Sequence, residues 1–107
     1  MVNQNQEVLP LPGEATIRTI GEIKNRIEGF ISQNETLALD LSGIQECDLT
    51  LVQAIEAARR GAEKQKKSLS LSGPATGPVR ELLERGGFLT RPEAADFWLG
   101  GREPGDG

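Results

Sequence analysis

Apolar residues recur along the chain with two different periods, and the switches between them lay out the elements. In TIGEIKNRIEGFIS the apolar positions Ile20, Ile23, Ile27, Phe30 and Ile31 fall three or four apart. That spacing predicts a first helix, with Thr19 as its cap and Glu22 three residues on as the other half of a capping box. TLALDLS then alternates Leu37, Leu39 and Leu41 with Thr36, Ala38 and Asp40, the period of a strand with one face toward a core. DLTLVQAIEAARRGAEKQKK returns to the helical period and sets Leu51, Ile55, Ala58 and Ala62 on one stripe. SLSLS alternates again, with Leu69 and Leu71 expected inside and Ser68, Ser70 and Ser72 outside. A third helix is predicted in GPATGPVRELLERGGFL, opened by Pro78 and closed by Gly86 and Gly87, with Phe88 as the apolar contact past its end.

The N-terminal stretch EVLPLPGEATI holds two short apolar segments around Pro12 and Gly13 and reads as a hairpin or two edge strands. Pro10 favours an edge, because it has no amide hydrogen for a ladder. No internal repeat stands out. Strand, helix, strand, helix in this order predicts parallel strands joined by crossovers, hence an α/β domain. Alternation in both strands, in place of unbroken Val, Ile and Leu, places the helices mainly on one face of the sheet. Among the side chains expected to be least exposed are Ile27, Leu39, Ile55, Leu71 and Leu82.

With 107 residues, the chain has room for one small core. Its formal net charge is -4, with basic residues scattered except in EKQKK, which argues against nucleic acid as a partner. No run is apolar and long enough to insert in a bilayer, and MVNQNQEV lacks the features of a signal peptide, so the expected address is the cytoplasm. The single cysteine, Cys47, suits a reducing compartment and is read as a small packing residue. From Thr90 the composition shifts to Gly, Pro and acids, and beyond about Leu99 a poorly ordered tail is expected. Phe97 and Trp98 are read as a hydrophobic plug on the domain.

Catalytic chemistry finds few parts. Without histidine or tyrosine and with one cysteine, neither Ser-His nor Cys-His machinery nor most zinc sites can be assembled, and no catalytic residue, metal or cofactor is expected. Glu46, Asp48 and Asp40 are read as solvated loop acids. SGPATGPVRE has glycines before a helix but lacks the spacing and lysine of a phosphate loop. Thr50 with Gln53 forms T-x-x-Q, the signature of a capping box, and Asp48 stands where a helix dipole favours an acid. Three roles for Thr50 stay open, in this order: helix cap, part of a partner surface, phosphoacceptor.

The stretch LALDLSGIQECDLTLVQAIEAARRGAEKQKKSLSLSGPATGPVRELLERGGF resembles the STAS domain, named for sulfate transporters and anti-sigma-factor antagonists. The resemblance lies in a leucine-rich strand ending in Asp-Leu-Ser, an acid just before an Ala- and Arg-rich helix, a second strand, and a last helix ending at Gly-Phe. It implies a small mixed β-sheet of about four to five strands packed with helices, with Val8 to Leu11 and Ala15 to Ile17 as strands. It also implies a STAS-like domain over residues 1–89 and a C-terminal extension, in part disordered, over residues 90–107. In that family an Asp before the second helix is typically followed at once by a Ser or Thr that a partner kinase phosphorylates. Here Asp48 matches the acid but Leu49 fills the acceptor position, so the chain is similar to the small STAS proteins of chemotaxis and kinase signalling that lack the acceptor. What the resemblance implies is a non-enzymatic module that binds an anti-sigma factor or a histidine kinase through Ser42, Asp48, Leu49, Thr50 and Gln53, with a homodimer left open. The other role it implies is the STAS subunit of a phospholipid-transport ATP-binding cassette complex.

Overall fold

The computed structural model describes residues 7–99, and the disordered tail expected beyond Leu99 lies outside them. In chain order the elements are β1 (Glu7–Pro10), β2 (Glu14–Ala15), α1 (Ile20–Gln33), β3 (Thr36–Asp40), β4 (Glu46–Cys47), α2 (Leu49–Lys64), β5 (Ser68–Leu71), α3 (Gly77–Arg85) and α4 (Pro92–Trp98). The architecture is α/β, as the alternating periods predict. Its strands form a three-stranded sheet in the order β1-β3-β5 and a separate two-stranded ribbon, β2-β4.

Every described pair is parallel, which refines the expected mixed sheet and excludes the N-terminal hairpin. The turn at Pro12 and Gly13 does not fold β1 back on β2. Instead the chain runs on through it, and β2 leaves for a partner 32 residues away, Glu14 lying opposite Glu46. Both segments are shifted from the spans expected for them, since pairing ends at Pro10 and at Ala15. Pro10 does occupy an edge strand, where its missing amide costs no ladder bond.

The register exposes an internal repeat that the sequence reading passed over. Leu9, Pro10, Leu11, Pro12 and Gly13 correspond to Leu39, Asp40, Leu41, Ser42 and Gly43, and Leu9 lies directly opposite Leu39. Each half of the molecule is thus a long strand, L-x-L-x-G turn, two-residue strand and helix, laid side by side. The turns touch: the Gly13 carbonyl accepts from the amides of Gln45 (2.8 Å) and Glu46 (3.1 Å). A Cβ at Gly13 would meet the Gly43 carbonyl oxygen at 3.7 Å, ordinary contact, so the glycines are not forced there by space.

The core gathers the leucines of β3 and β5 with Ile23, Ile27 and Ile31 of α1 and Leu51, Val52 and Ile55 of α2. Val8, Ala38 and Ser70 lie side by side on the other face, which is covered at its centre, where Ala38 is fully buried and Ser70 half-buried, and open at its margins, where Val8, Ser68 and Ser72 are exposed. Of the expected core, Ile27, Leu39, Ile55 and Leu71 are buried. Leu82 is half-buried, because α3 turns Val79 and Leu83 inward, one helical turn apart. Leu69 is likewise only half-buried, on an edge strand. Helix α3 begins as predicted, with Pro78 in its first turn, and ends at Gly86, after which Gly87 takes φ 76° and the Phe88 amide bonds back to the Leu83 carbonyl at 3.0 Å.

Helix α4 lies beyond residue 89, where the domain was expected to close, yet its Trp98 is fully buried in the same core. The indole Nε1 donates to Glu56 Oε2 of α2 at 3.0 Å, and the Trp98 carbonyl accepts from the Ala75 amide at 2.8 Å. Phe97 stands edge-on to Trp98, and the Arg59 guanidinium lies 4.1 Å from the centre of its ring. The plug read from these aromatics is therefore part of the packing between α4, α2 and β5.

Candidate functional site

At the end of the ribbon where α1 and α2 begin, the two halves of the repeat converge on one carboxylate. Asp48 caps α2: its Oδ1 accepts from the Thr50 amide at 3.0 Å and from the Thr50 hydroxyl. Its Oδ2 accepts from the Ile17 amide at 2.9 Å, in the connection between β2 and α1. One side chain thus satisfies a helix-terminal donor and clamps the loop of the other half. The expected T-x-x-Q box is not formed. Helix α2 starts at Leu49, so Thr50 lies inside its first turn, and Asp48 does the capping with one oxygen while Ile17 holds the other.

The equivalent position in the first half is Thr16, whose hydroxyl accepts from the Arg18 amide at 3.3 Å as Asp48 accepts from Thr50. Thr16 also donates to Glu14 Oε2 at 2.7 Å, and Arg18 closes on that same oxygen with Nε at 3.1 Å and a terminal nitrogen at 2.9 Å. Thr19 does not cap α1. Its hydroxyl is spent on the ribbon, donating to the Glu14 carbonyl at 3.0 Å and accepting from the Thr16 amide at 3.1 Å, so the box with Glu22 is absent.

This web holds two large apolar side chains in water. Ile17 is 67% exposed and Leu49 is 45% exposed, each immediately after the residue, Thr16 or Asp48, whose side chain accepts from the amide two positions on. Thr50 and Gln53 line a shallow cavity of about 270 Å³ with Ile17, Ile20 and Lys24. Of the residues singled out from sequence, Asp48, Leu49, Thr50 and Gln53 come together here. Ser42 stands apart, folded onto Asp40 Oδ1 through its amide (2.9 Å) and hydroxyl (2.7 Å). Sequence reading missed Ile17, Glu14 and Arg18. The repeat L-x-L-x-G, 30 residues apart, points only to the neighbourhood; the β2-β4 register, offset by 32, is what makes Ile17 the counterpart of Leu49.

The electrostatics follow the hydrogen bonds. Asp48 is held below the usual carboxylate range, first by the Thr50 hydroxyl, then by the amides of Ile17 and Thr50. Glu14 is lowered by Thr16 and then Arg18, and Asp40 by the hydroxyl and amide of Ser42. Burial, then the Asp48 charge, pushes the Cys47 thiol up, away from the thiolate that reactivity needs. A carboxyl with a lowered folded pKa stabilises the fold fully above its unfolded value near about 4, and that contribution fades as pH falls through the folded value. Asp48→Ala is therefore expected to lose about 0.5 to 2 kcal/mol at neutral pH. In urea unfolding at a series of pH values, the gap to the parent should narrow below about pH 4; a gap that is constant down to pH 2 would contradict the role given to the charge.

Among the described residues no group of three or more His, Cys, Asp or Glu is placed to hold a metal ion. No described helix is long and apolar enough to cross a membrane. Comparison with curated proteins returned no match. The family model described as "Mlab, STAS domain" matches residues 2–91, a span that runs from the N-terminal strands through α3 and includes the Asp48 clamp, and the chain belongs to that STAS family.

Proposed function

We propose that the chain is a non-enzymatic, cytoplasmic protein-binding module of bacterial signalling, which docks a partner on the start of α2. The observation that carries this reading is the exposed pair Ile17 and Leu49, fixed on either side of Asp48 by the bonds that close both loops. Large apolar side chains held rigidly in solvent and rimmed by polar groups mark a contact surface. The surface is Asp48, Leu49, Thr50 and Gln53, extended by Ile17, with Ser42 at a distance. The partner class is an anti-sigma factor or a histidine kinase. Thr50 is the least favoured acceptor of phosphate in this reading, because its hydroxyl already donates to Asp48 and a phosphate there would set its charge against the capping carboxylate.

The family match supports a second reading, in which the same surface seats the chain on the ATP-binding cassette complex of a phospholipid transporter. Leu49→Glu tests the surface under either reading. An acid in the first turn of a helix is tolerated, so folding should be unaltered. Affinity for the captured partner should fall at least tenfold, about 1.4 kcal/mol. Capture on immobilised protein followed by mass spectrometry names the partner and separates a kinase from a transport ATPase. Equal affinity of parent and variant would remove Leu49 from the interface.

A further inference from the structure

Lys24 and Glu28 stand one turn apart on α1 and border an open seam between α1 and α2. Two cavities of about 350 and 270 Å³ run along this seam and share Lys24, Ala54 and Ala57. On the α2 side the middle of its wall is made of the small residues Ala54, Ala57, Ala58 and Gly61, with Gln65 at one end and Thr50 and Gln53 at the other. Neither Lys24 nor Glu28 forms an ion pair among the described residues. With the lysine N-terminal to the acid, they are also in the less favourable order for pairing along one helix.

We propose that a second copy of the chain docks in this seam, across a two-fold axis that crosses α1 between Lys24 and Glu28. Charge chooses the occupant. A two-fold perpendicular to α1 sets the two α1 helices antiparallel, and in such an isologous contact each residue pair is used twice. Lys24 of each copy then faces Glu28 of the other. Each α1 lies against the small residues of the opposite α2, where alanine and glycine permit close approach of helix ridges. Helix α1, with 14 residues, is about 21 Å long. A contact of that length covers less than about 1,200 Å² in total, the size of a transient interface. The dimer should therefore form only in the upper micromolar range. The formal charge of -4 on each copy opposes it, but beyond about 8 Å that repulsion is screened at physiological salt.

Sedimentation equilibrium of the full chain, from ten micromolar to one millimolar, tests the proposal. The parent should dimerise reversibly. Lys24→Glu and Glu28→Lys should each weaken association at least tenfold. An equimolar mixture of the two variants should associate again, because one copy then carries two acids and the other two lysines at the facing positions. Circular dichroism of each variant confirms that these exposed changes leave the helices intact, and Ala57→Arg, which fills the seam without touching the charge pair, should also give a monomer. A parent that stays monomeric at one millimolar overturns the proposal, and so does a mixture that fails to associate. If the parent is monomeric while Ala57→Arg loses the captured partner of the start of α2, the seam belongs to that partner.

Discussion

Trp98→Ala should destabilise the protein by about 3 to 5 kcal/mol, the largest effect expected of any single substitution in the chain. Trp98 heads the fully buried side chains by volume, and its removal opens a void between α4, α2 and β5. The Glu56 oxygen that accepts from the indole would lose that donor, though Arg59 still pairs with Glu56 at 3.2 Å. Trp98→Phe separates the two contributions. It keeps most of the ring and removes the N–H, so a loss nearer about 1 kcal/mol is expected. Since small domains are held by about 5 to 15 kcal/mol, the alanine variant should melt well below the parent. Chemical unfolding that shows less than about 1 kcal/mol for Trp98→Ala would mean that α4 is an appendage and that the domain closes before it.

Leu39→Ala is expected to cost about 2 to 5 kcal/mol. Leu39 is fully buried in the central strand, with Leu9 beside it on one strand and Leu71 on the other. A cavity here touches every strand of the sheet, and neighbours on a paired ladder cannot collapse into it freely. Urea unfolding again supplies the measurement. A loss below about 1 kcal/mol would contradict the register that puts Leu39 at the centre.

How much of this could be read from the sequence differs element by element. Ile23, Ile27 and Ile31 were legible because a helical period repeated over three turns has one solution, and Leu37 with Leu39 because strict alternation does too. Leu82 was not, since Leu82 and Leu83 are adjacent and only packing decides which faces inward. The β2-β4 ribbon has two residues per strand, too few for any period to show. The cap of α2 was misplaced for a different reason. T-x-x-Q is a sound local signal, but Asp48 takes the first-turn amide with one oxygen while its other oxygen accepts from a donor 31 residues away, the Ile17 amide, a contact that no local pattern announces. The candidate site was half legible for the same cause: Leu49 belongs to the loop that the resemblance singles out, whereas Ile17 joins it through pairing that no local pattern reveals.

That long reach has a consequence for the order in which a nascent chain can fold. Neither sheet is closed by a local turn: β1 finds its partner 30 residues on, β2 finds its partner 32 residues on, and the Asp48 clamp spans 31. While residues 7–35 leave the ribosome, β1 and β2 have no partners with which to form a sheet under α1, and its Ile23, Ile27 and Ile31 remain uncovered until β3 arrives. At about 5 to 20 residues per second, the first half waits a few seconds for the second. Contacts this distant in sequence also slow the search once the chain is free. The stretch from Ile20 to Ile31 is thus the segment that a chaperone would meet, and slowing translation between residues 35 and 50 should lengthen its exposure.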